Sequence, residues 1–414
     1  MARAPQAAAE AAARNSYGRL LAYLAARSGD LVAAEDALGD AFAAALAQWP
    51  DRGAPDNPDA WLLAVARRRL ADQHRARGMA AAAEPHLVLM REEIEAAAAE
   101  PAVPDRRLAL MFACAGPEVD PSVRAPLMLQ AVLGLTAAEI GSAFLVPPGT
   151  MGQRLSRSKA RLREAGRPFT SPPLEAWPER LGDVLQAIYA AFAKGWRELG
   201  EPEGEALATE AVWLGRLLTA LMPGEGEAEG LLALMLYAEA RRPARRCPAG
   251  DYAPLEAQDV ARWDQAMLAE AEAVLSRASA RPGASGRFQI EAAIQSAHIA
   301  RRLSGLDTWP DILALYDLLR RLAPSPVVEL NRALVLARIE GPEVGLAALR
   351  CLNDDRRIAD YQPYWAALGR LSAETGQVAQ AIEALILACG LSDDPAERRY
   401  LEGEIAQAKA AGMQ

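Results

Sequence analysis

Residues 135–163, LTAAEIGSAFLVPPGTMGQRLSRSKARLR, hold the densest set of side chains suited to a polyanion. Thr136 and Glu139 have the T-x-x-E spacing of a capping box, in which hydroxyl and carboxylate each accept a backbone N–H at a helix start. A helix is therefore expected over 136–146. Pro147, Pro148 and Gly149 break it in a sharp turn, and a second helix is expected over 148–165. Two helices joined this way form a helix-turn-helix, whose second helix presents its N-terminal residues to the major groove of DNA. In that helix Met151, Leu155 and Leu162 fall on an inward face. Arg154, Arg157 and Arg161 share another face, with Thr150 and Gln153 near the N-terminal end. Glutamine pairs with an adenine edge, arginine with guanine, and the later cations with phosphates. The competing reading is a solvated basic helix end.

A second basic cluster, VARRRLADQHRAR at 65–77, places Arg67, Arg68, Arg69, Arg75 and Arg77 on the later turns of a helix expected from about residue 60. Leu63, Ala66 and Leu70 form its apolar face. Before it lies a Pro/Gly/Asp/Asn loop, WPDRGAPDNPD at 49–59. Residues 14–50 read as helices, with Leu31, Ala34, Leu38, Phe42, Ala45 and Trp49 in one stripe and Glu35, Asp36 and Asp40 off it.

The chain that carries these clusters has 414 residues and a formal net charge of −9, which argues against nucleic-acid binding over its whole surface but not at a local patch. The acid excess lies in the second half. Alanine and leucine dominate and aromatic residues make up 6%, so helix is expected nearly everywhere. The four cysteines are far apart and show no metal spacing; they read as buried reduced thiols. His74, His86 and His298 show no catalytic or metal pattern, although His74 is placed to contact phosphate and His298 to pack within a helix pair. No Gly-rich phosphate loop occurs. No enzyme activity, cofactor or metal is expected. The N-terminus lacks an apolar signal segment and no span is apolar enough for a membrane, so a cytoplasmic location is expected.

Residues 78–104, rich in Ala and Glu, read as a linker. Helices follow at 105–115 and 121–134, ahead of the helix-turn-helix, and GRPFTSPPLEAWP at 166–178 marks a second boundary. Beyond 179 only paired helices with short turns are expected. In YWAALGRLSAETGQVAQAIEALILACG, residues Trp365, Leu368, Gly369, Gly376, Ala381 and Ala388 sit at tetratricopeptide spacing. A shift of about 34 residues aligns Leu334 with Leu368, Val344 with Val378 and Ala347 with Ala381. Small residues such as Gly369 and Ala381 let antiparallel helices approach, while Trp365 fills the groove beside them.

Taken together, AEDALGDAFAAAL at 34–46, NPDAWLLAVARRRLADQHRAR at 57–77 and the helix-turn-helix segment resemble a sigma factor of RNA polymerase. The type is the extracytoplasmic-function group, which keeps only the second and fourth conserved regions. Segments at 231–264 and 315–349 resemble the subgroup with a long C-terminal tetratricopeptide-like domain. The resemblance implies an all-α chain of two small helical domains, the second a helix-turn-helix, followed by a helical solenoid. It implies region 2 at 10–77, a linker at 78–104, region 4 at 105–166 and a regulatory tail at 179–414.

It also implies residue roles. Asp36, Asp40 and Phe42 would dock on the β′ coiled coil of core polymerase, against the plainer reading of a core Phe42 and solvated acids. Asp56 and Asn57 would hold a flipped base of the −10 element, and Arg68, Arg69 and Arg75 would follow the single strand. Trp61 would stack on a base, although its nearness to the apolar face favours a core role. Thr150, Gln153, Arg154, Arg157 and Arg161 would read the −35 element. The tail would regulate, taking a protein or peptide ligand or the sigma domains in its groove. The chain departs from the family at Gly39, commonly polar, in CAGPEVDPS at 114–122, which lacks the usual Cys-His pair, and at PPGT, 147–150. Two other readings stay open: a DNA-binding regulator acting without polymerase, and a tetratricopeptide adaptor with a degenerate sigma module.

Overall fold

The computed structural model describes residues 3–76, 105–144, 146–165, 169–281, 283 and 285–412, with side chains of 3–15 and 74–76 outside the description. The expected linker over 78–104 lies outside the described residues. The fold is all-α, with 18 α-helices and no strand among the described residues. No described helix is long and apolar enough to cross a membrane. Two compact units divide the chain, Met1–Leu214 and Gly215–Gln414.

The first unit begins with α1 (Arg3–Ser28), α2 (Leu31–Arg52) and α3 (Pro58–Ala76) packed on one another. Asp30 caps α2 by accepting from Ala33 N at 2.9 Å, and Asn57 accepts from Ala60 N at 3.1 Å to cap α3. The α2 stripe is buried at Leu31, Ala34, Leu38, Ala45 and Trp49, and half-buried at Phe42. Leu63, Ala66 and Leu70 of α3 close the core.

Four further helices follow: α4 (Arg107–Cys114), α5 (Pro121–Leu133), α6 (Ala137–Phe144) and α7 (Pro148–Ala165). Their bounds match the expected helices to within two or three residues. Asp120 caps α5, and the Thr136–Glu139 box forms with both arms, Thr136 N to Glu139 Oε2 at 2.8 Å and Glu139 N to Thr136 Oγ1 at 3.3 Å. Close approach requires glycine at two of these junctions. A Cβ at Gly18 of α1 would overlap the Val132 carbonyl of α5, and one at Gly141 of α6 would crowd the Val146 carbonyl in the turn before α7.

The unit is completed by α8 (Leu181–Arg197) and the start of α9 (Pro202–Leu221). Here α8 packs on α5, with Arg124 donating to Asp183 at 2.9 Å and Arg180 to the Phe112 carbonyl at 3.0 Å. Trp177 stacks on Phe112 at 4.0 Å between centroids. Arg107 of α4 pairs with Glu210 and lies 4.6 Å from the Trp213 ring centroid, both on α9. The compact unit thus extends past residue 179, where the sequence reading starts the tail.

The second unit contains α10 (Gly226–Ala240), α11 (Gln265–Ser279), α12 (Arg287–Ser304), α13 (Trp309–Leu322), α14 (Pro326–Glu340), α15 (Pro342–Arg350), α16 (Gln362–Glu374), α17 (Val378–Leu391) and α18 (Pro395–Ala411). Neighbouring helices pair strongly: α14 with α15, α16 with α17. The two pairs repeat, but with a different register from the expected one. From α14 to α16 the starts advance from 326 to 362, and from α15 to α17 from 342 to 378, an offset of 36 in each case. The close contact of Gly345 with the Ala333 carbonyl therefore corresponds to that of Gly369 with the Ala381 carbonyl. Ala347, aligned with buried Ala381 at the expected repeat length, is exposed. Two extra residues per repeat move the small-residue contact from one position to the other.

Candidate nucleic-acid interface

On α7, burial of Met151, Leu155 and Ser158 fixes which face turns outward. That outward face holds Thr150, Gln153, Arg154, Arg157 and Arg161, all exposed. Arg157 donates to Gln153 Oε1 at 3.1 Å, which leaves the Gln153 amide hydrogens outward. Leu162, expected inward, is half-buried. Gly149 lies inside the first turn of α7, where Met151 N donates to the Pro147 carbonyl at 3.0 Å. A Cβ at Gly149 would meet nothing, nor would one at Gly39 on α2. Neither departure from the family pattern is demanded by the packing.

Preceding α7, Glu139 is held by more than its capping box. Burial pushes its carboxyl up, but hydrogen bonds from Thr136 and the Lys194 ammonium at 3.3 Å outweigh this, leaving it below the ordinary glutamate value. The first turn of α6 is thereby tied to α8.

The second candidate surface begins in the loop before α3. Asp56 is exposed, while Asn57 spends its side-chain oxygen on the cap of α3 and keeps its amide hydrogens for another partner. Asp59 pairs with Arg19 of α1, which pins the start of α3. Trp61 is half-buried and meets Trp49 edge-on at 5.5 Å between centroids. Arg68 and Arg69 are exposed, but Arg67 is 7% exposed, donates to Tyr23 Oη at 2.6 Å and lies over the Tyr23 ring. The arginine triplet is thus divided between core and surface. Arg75 lies on the last turn of α3, with its side chain outside the description, as is that of His74.

On α2, Asp36 and Asp40 are exposed, and half-buried Phe42 lies 6.3 Å from Tyr17 between ring centroids. The acidic edge of this helix is where the candidate surfaces meet. Lys159 of α7 reaches Glu35 at 2.6 Å with both side chains largely covered, and Arg163 reaches Asp36 at 3.2 Å. Arg69 of α3 approaches Asp40 at 3.9 Å. Sequence reading missed Glu35 and Lys159 as partners because 124 residues separate them. Cys114 is buried beneath this junction, and burial pushes its thiol up to about 12, so it stays protonated and inert.

His298, expected to pack within its helix pair, stands on α12 edge-on to Trp309 of α13 at 5.6 Å. No group of His, Cys, Asp and Glu among the described residues is arranged to hold a metal.

Comparison with known proteins matches residues 13–79, covering α2 and α3, to sigma-70 region 2. Residues 180–279 match a family of unknown function, DUF6596. The chain is 36% identical over 397 residues to an uncharacterized protein of Rhizobium meliloti (strain 1021), spanning 94% of this chain and 92% of that one. No solved structure matches. With region 2 present and the likeness to the Rhizobium protein running almost end to end, the chain belongs to the same family as that protein and is a sigma-70 family factor.

Proposed function

We propose that the protein is a promoter-specificity subunit of RNA polymerase, of the extracytoplasmic-function type, with a tetratricopeptide-like regulatory tail. Its role is non-catalytic. The acidic edge of α2, with Asp36, Asp40 and Phe42, docks on the β′ coiled coil. The loop ahead of α3, with Asp56 and Asn57, and the exposed arginines of α3 hold the opened −10 strand, where base stacking and a basic track supply affinity without a reaction. The polar face of α7 reads the −35 element. The observation that carries this reading is that face. Five side chains able to contact base edges and phosphates stand exposed on the second helix of a helix-turn-helix, in one unit with a sigma-70 region 2 domain.

The arrangement is a closed one. The −35 and −10 elements lie some 25 base pairs apart, roughly 85 Å at about 3.4 Å per base pair. Lys159 and Glu35 are in contact. Engaging both elements requires α7 to leave α2, which also releases Asp36 for polymerase. The closed unit is then a resting form, opened by polymerase and promoter together.

Reconstitution with core polymerase, run-off transcription and sequencing of the start sites tests the reading. Promoter-specific initiation that is lost in the triple variant Arg154→Ala, Arg157→Ala, Arg161→Ala is expected. Failure to bind core polymerase while still binding duplex DNA would support a regulator acting without polymerase.

A further inference from the structure

Helices α12, α13, α14 and α16 of the second unit, with the 252–256 segment before α11, line a cavity of about 420 Å³. Its size is within the range of about 300–1,000 Å³ that small-molecule sites occupy. Three aromatic rings face it: Tyr252, Trp309 and Tyr316. Two cations stand on equivalent faces of α14 and α16, Arg338 and Arg370, and neither has an ion-pair partner among the described residues. Glu256, at the rim, is already engaged by Arg301 at 3.0 Å, and Glu374 is exposed.

Behind Tyr252 lies further positive charge. Half-buried Arg245 and Arg370 both act on the Tyr252 hydroxyl, together with the carboxylate of Glu397. The Nδ1 atom of His298, which also lines the cavity, is buried with no hydrogen-bond partner.

These features select a ligand. A neutral apolar molecule would cover Arg338, Arg370 and His298 Nδ1 while giving them no partner, at a desolvation cost for each. A cation would meet Arg338 and Arg370 with only the exposed Glu374 carboxylate left to balance them, since Glu256 is held by Arg301. Inorganic phosphate alone would leave the three rings and most of the volume unfilled. We infer that this groove binds a small organic anion, a carboxylate, sulfonate or phosphate ester carried on an aromatic or apolar body. Arg338 and Arg370 hold the charged group. Trp309, Tyr252 and Tyr316 cover the body, and its occupancy makes the second unit responsive to a metabolite-sized effector.

The probe is 8-anilinonaphthalene-1-sulfonate, an aromatic anion, titrated into the full-length protein with fluorescence as readout. Its neutral counterpart is N-phenyl-1-naphthylamine, the same aromatic body without the sulfonate. The expected result is saturation at one equivalent, at least tenfold tighter than the neutral compound. Binding should weaken at least tenfold in the Arg338→Gln, Arg370→Gln double variant, whose melting curve should match the parent because neither arginine holds an ion pair. A Trp309→Ala variant should weaken both probes. No saturable binding, equal affinity for the neutral compound, or undiminished binding by the double variant would each overturn the inference. The assay uses neither polymerase nor DNA, so its failure is distinct from failure of the promoter-reading proposal.

Discussion

At the scale of single residues, neighbours in the sequence differ most sharply at Arg67 and Arg68. The spacing of Leu63, Ala66 and Leu70 already places residue 67 on the buried face, four positions after Leu63. What the sequence does not show is the partner, because Tyr23 lies on another helix. Arg67→Ala should cost about 2 kcal/mol, through lost packing and loss of the shorter of the two hydrogen bonds to the Tyr23 hydroxyl, which keeps only Arg27 at 3.4 Å, read by urea unfolding. Arg68→Ala should change stability by less than about 0.5 kcal/mol, yet lower the salt dependence of promoter binding by about one charge. Equal stability losses for the two would contradict this division of the triplet. A pH effect belongs to His298. Burial, and then the Arg301 charge, push its imidazole down from 6.5 to about 4. The unfolded chain takes up this proton near pH 6.5 and the folded chain only near pH 4. Stability from this source is complete above pH 6.5 and is lost as pH falls toward 4. Between pH 7 and pH 5 the loss is about 2 kcal/mol. His298→Gln should remove that part of the pH dependence, and a variant with the parent's full slope would count against it.

At the scale of elements, the helix-turn-helix was legible because its punctuation is local. A capping box, two prolines and a glycine lie within one short segment, and the helices begin and end where these residues require. The repeat in the second unit was legible as paired helices but not in register. Alanine is so common that several offsets bring small residues opposite one another, and the helix starts, 36 residues apart in both pairs, settle the choice. The meeting of α7 with α2 has no local signature. Its energetics can be separated from folding by charge reversal. Lys159→Glu places two carboxylates together at a largely covered site and should destabilise the closed unit by about 1–2 kcal/mol, a factor of roughly 5–30. If closure competes with docking, affinity for core polymerase should rise by a factor of that order. The swap with Glu35→Lys restores the pair and should return affinity toward the parent value. Unchanged affinity in the single variant would mean that opening of this contact does not limit docking.

At the scale of the whole molecule, composition marks a boundary at 166–178 with prolines and glycine, but the compact units divide at 214 and 215, inside α9. No composition change marks that point, because a helix crossing between packed bodies keeps its own periodicity. The consequence is a sharp expectation for truncation. A fragment ending at 178 would keep Phe112, Arg107 and Arg124 but lose Arg180, Asp183, Glu210 and Trp213, which contact them. It would also expose the side of α5 that packs on α8, where Val184, Ala187, Ile188 and Ala191 of α8 are all fully buried. At about 25 cal/mol for each Å² of apolar surface, uncovering such a face costs several kcal/mol, a large fraction of a typical domain's 5–15 kcal/mol. A fragment ending at 221 keeps all of α8 and α9. Circular dichroism should therefore show a lower melting temperature, by 10 °C or more on the scale of about 2–4 °C per kcal/mol for domains this large, for 1–178 than for 1–221. Loss of promoter activity in the shorter fragment alone would then report a damaged DNA-reading unit, not a missing regulator. Only the longer fragment tests what the second unit contributes. Equal melting temperatures would show that α8 and α9 are not needed to support the helix-turn-helix.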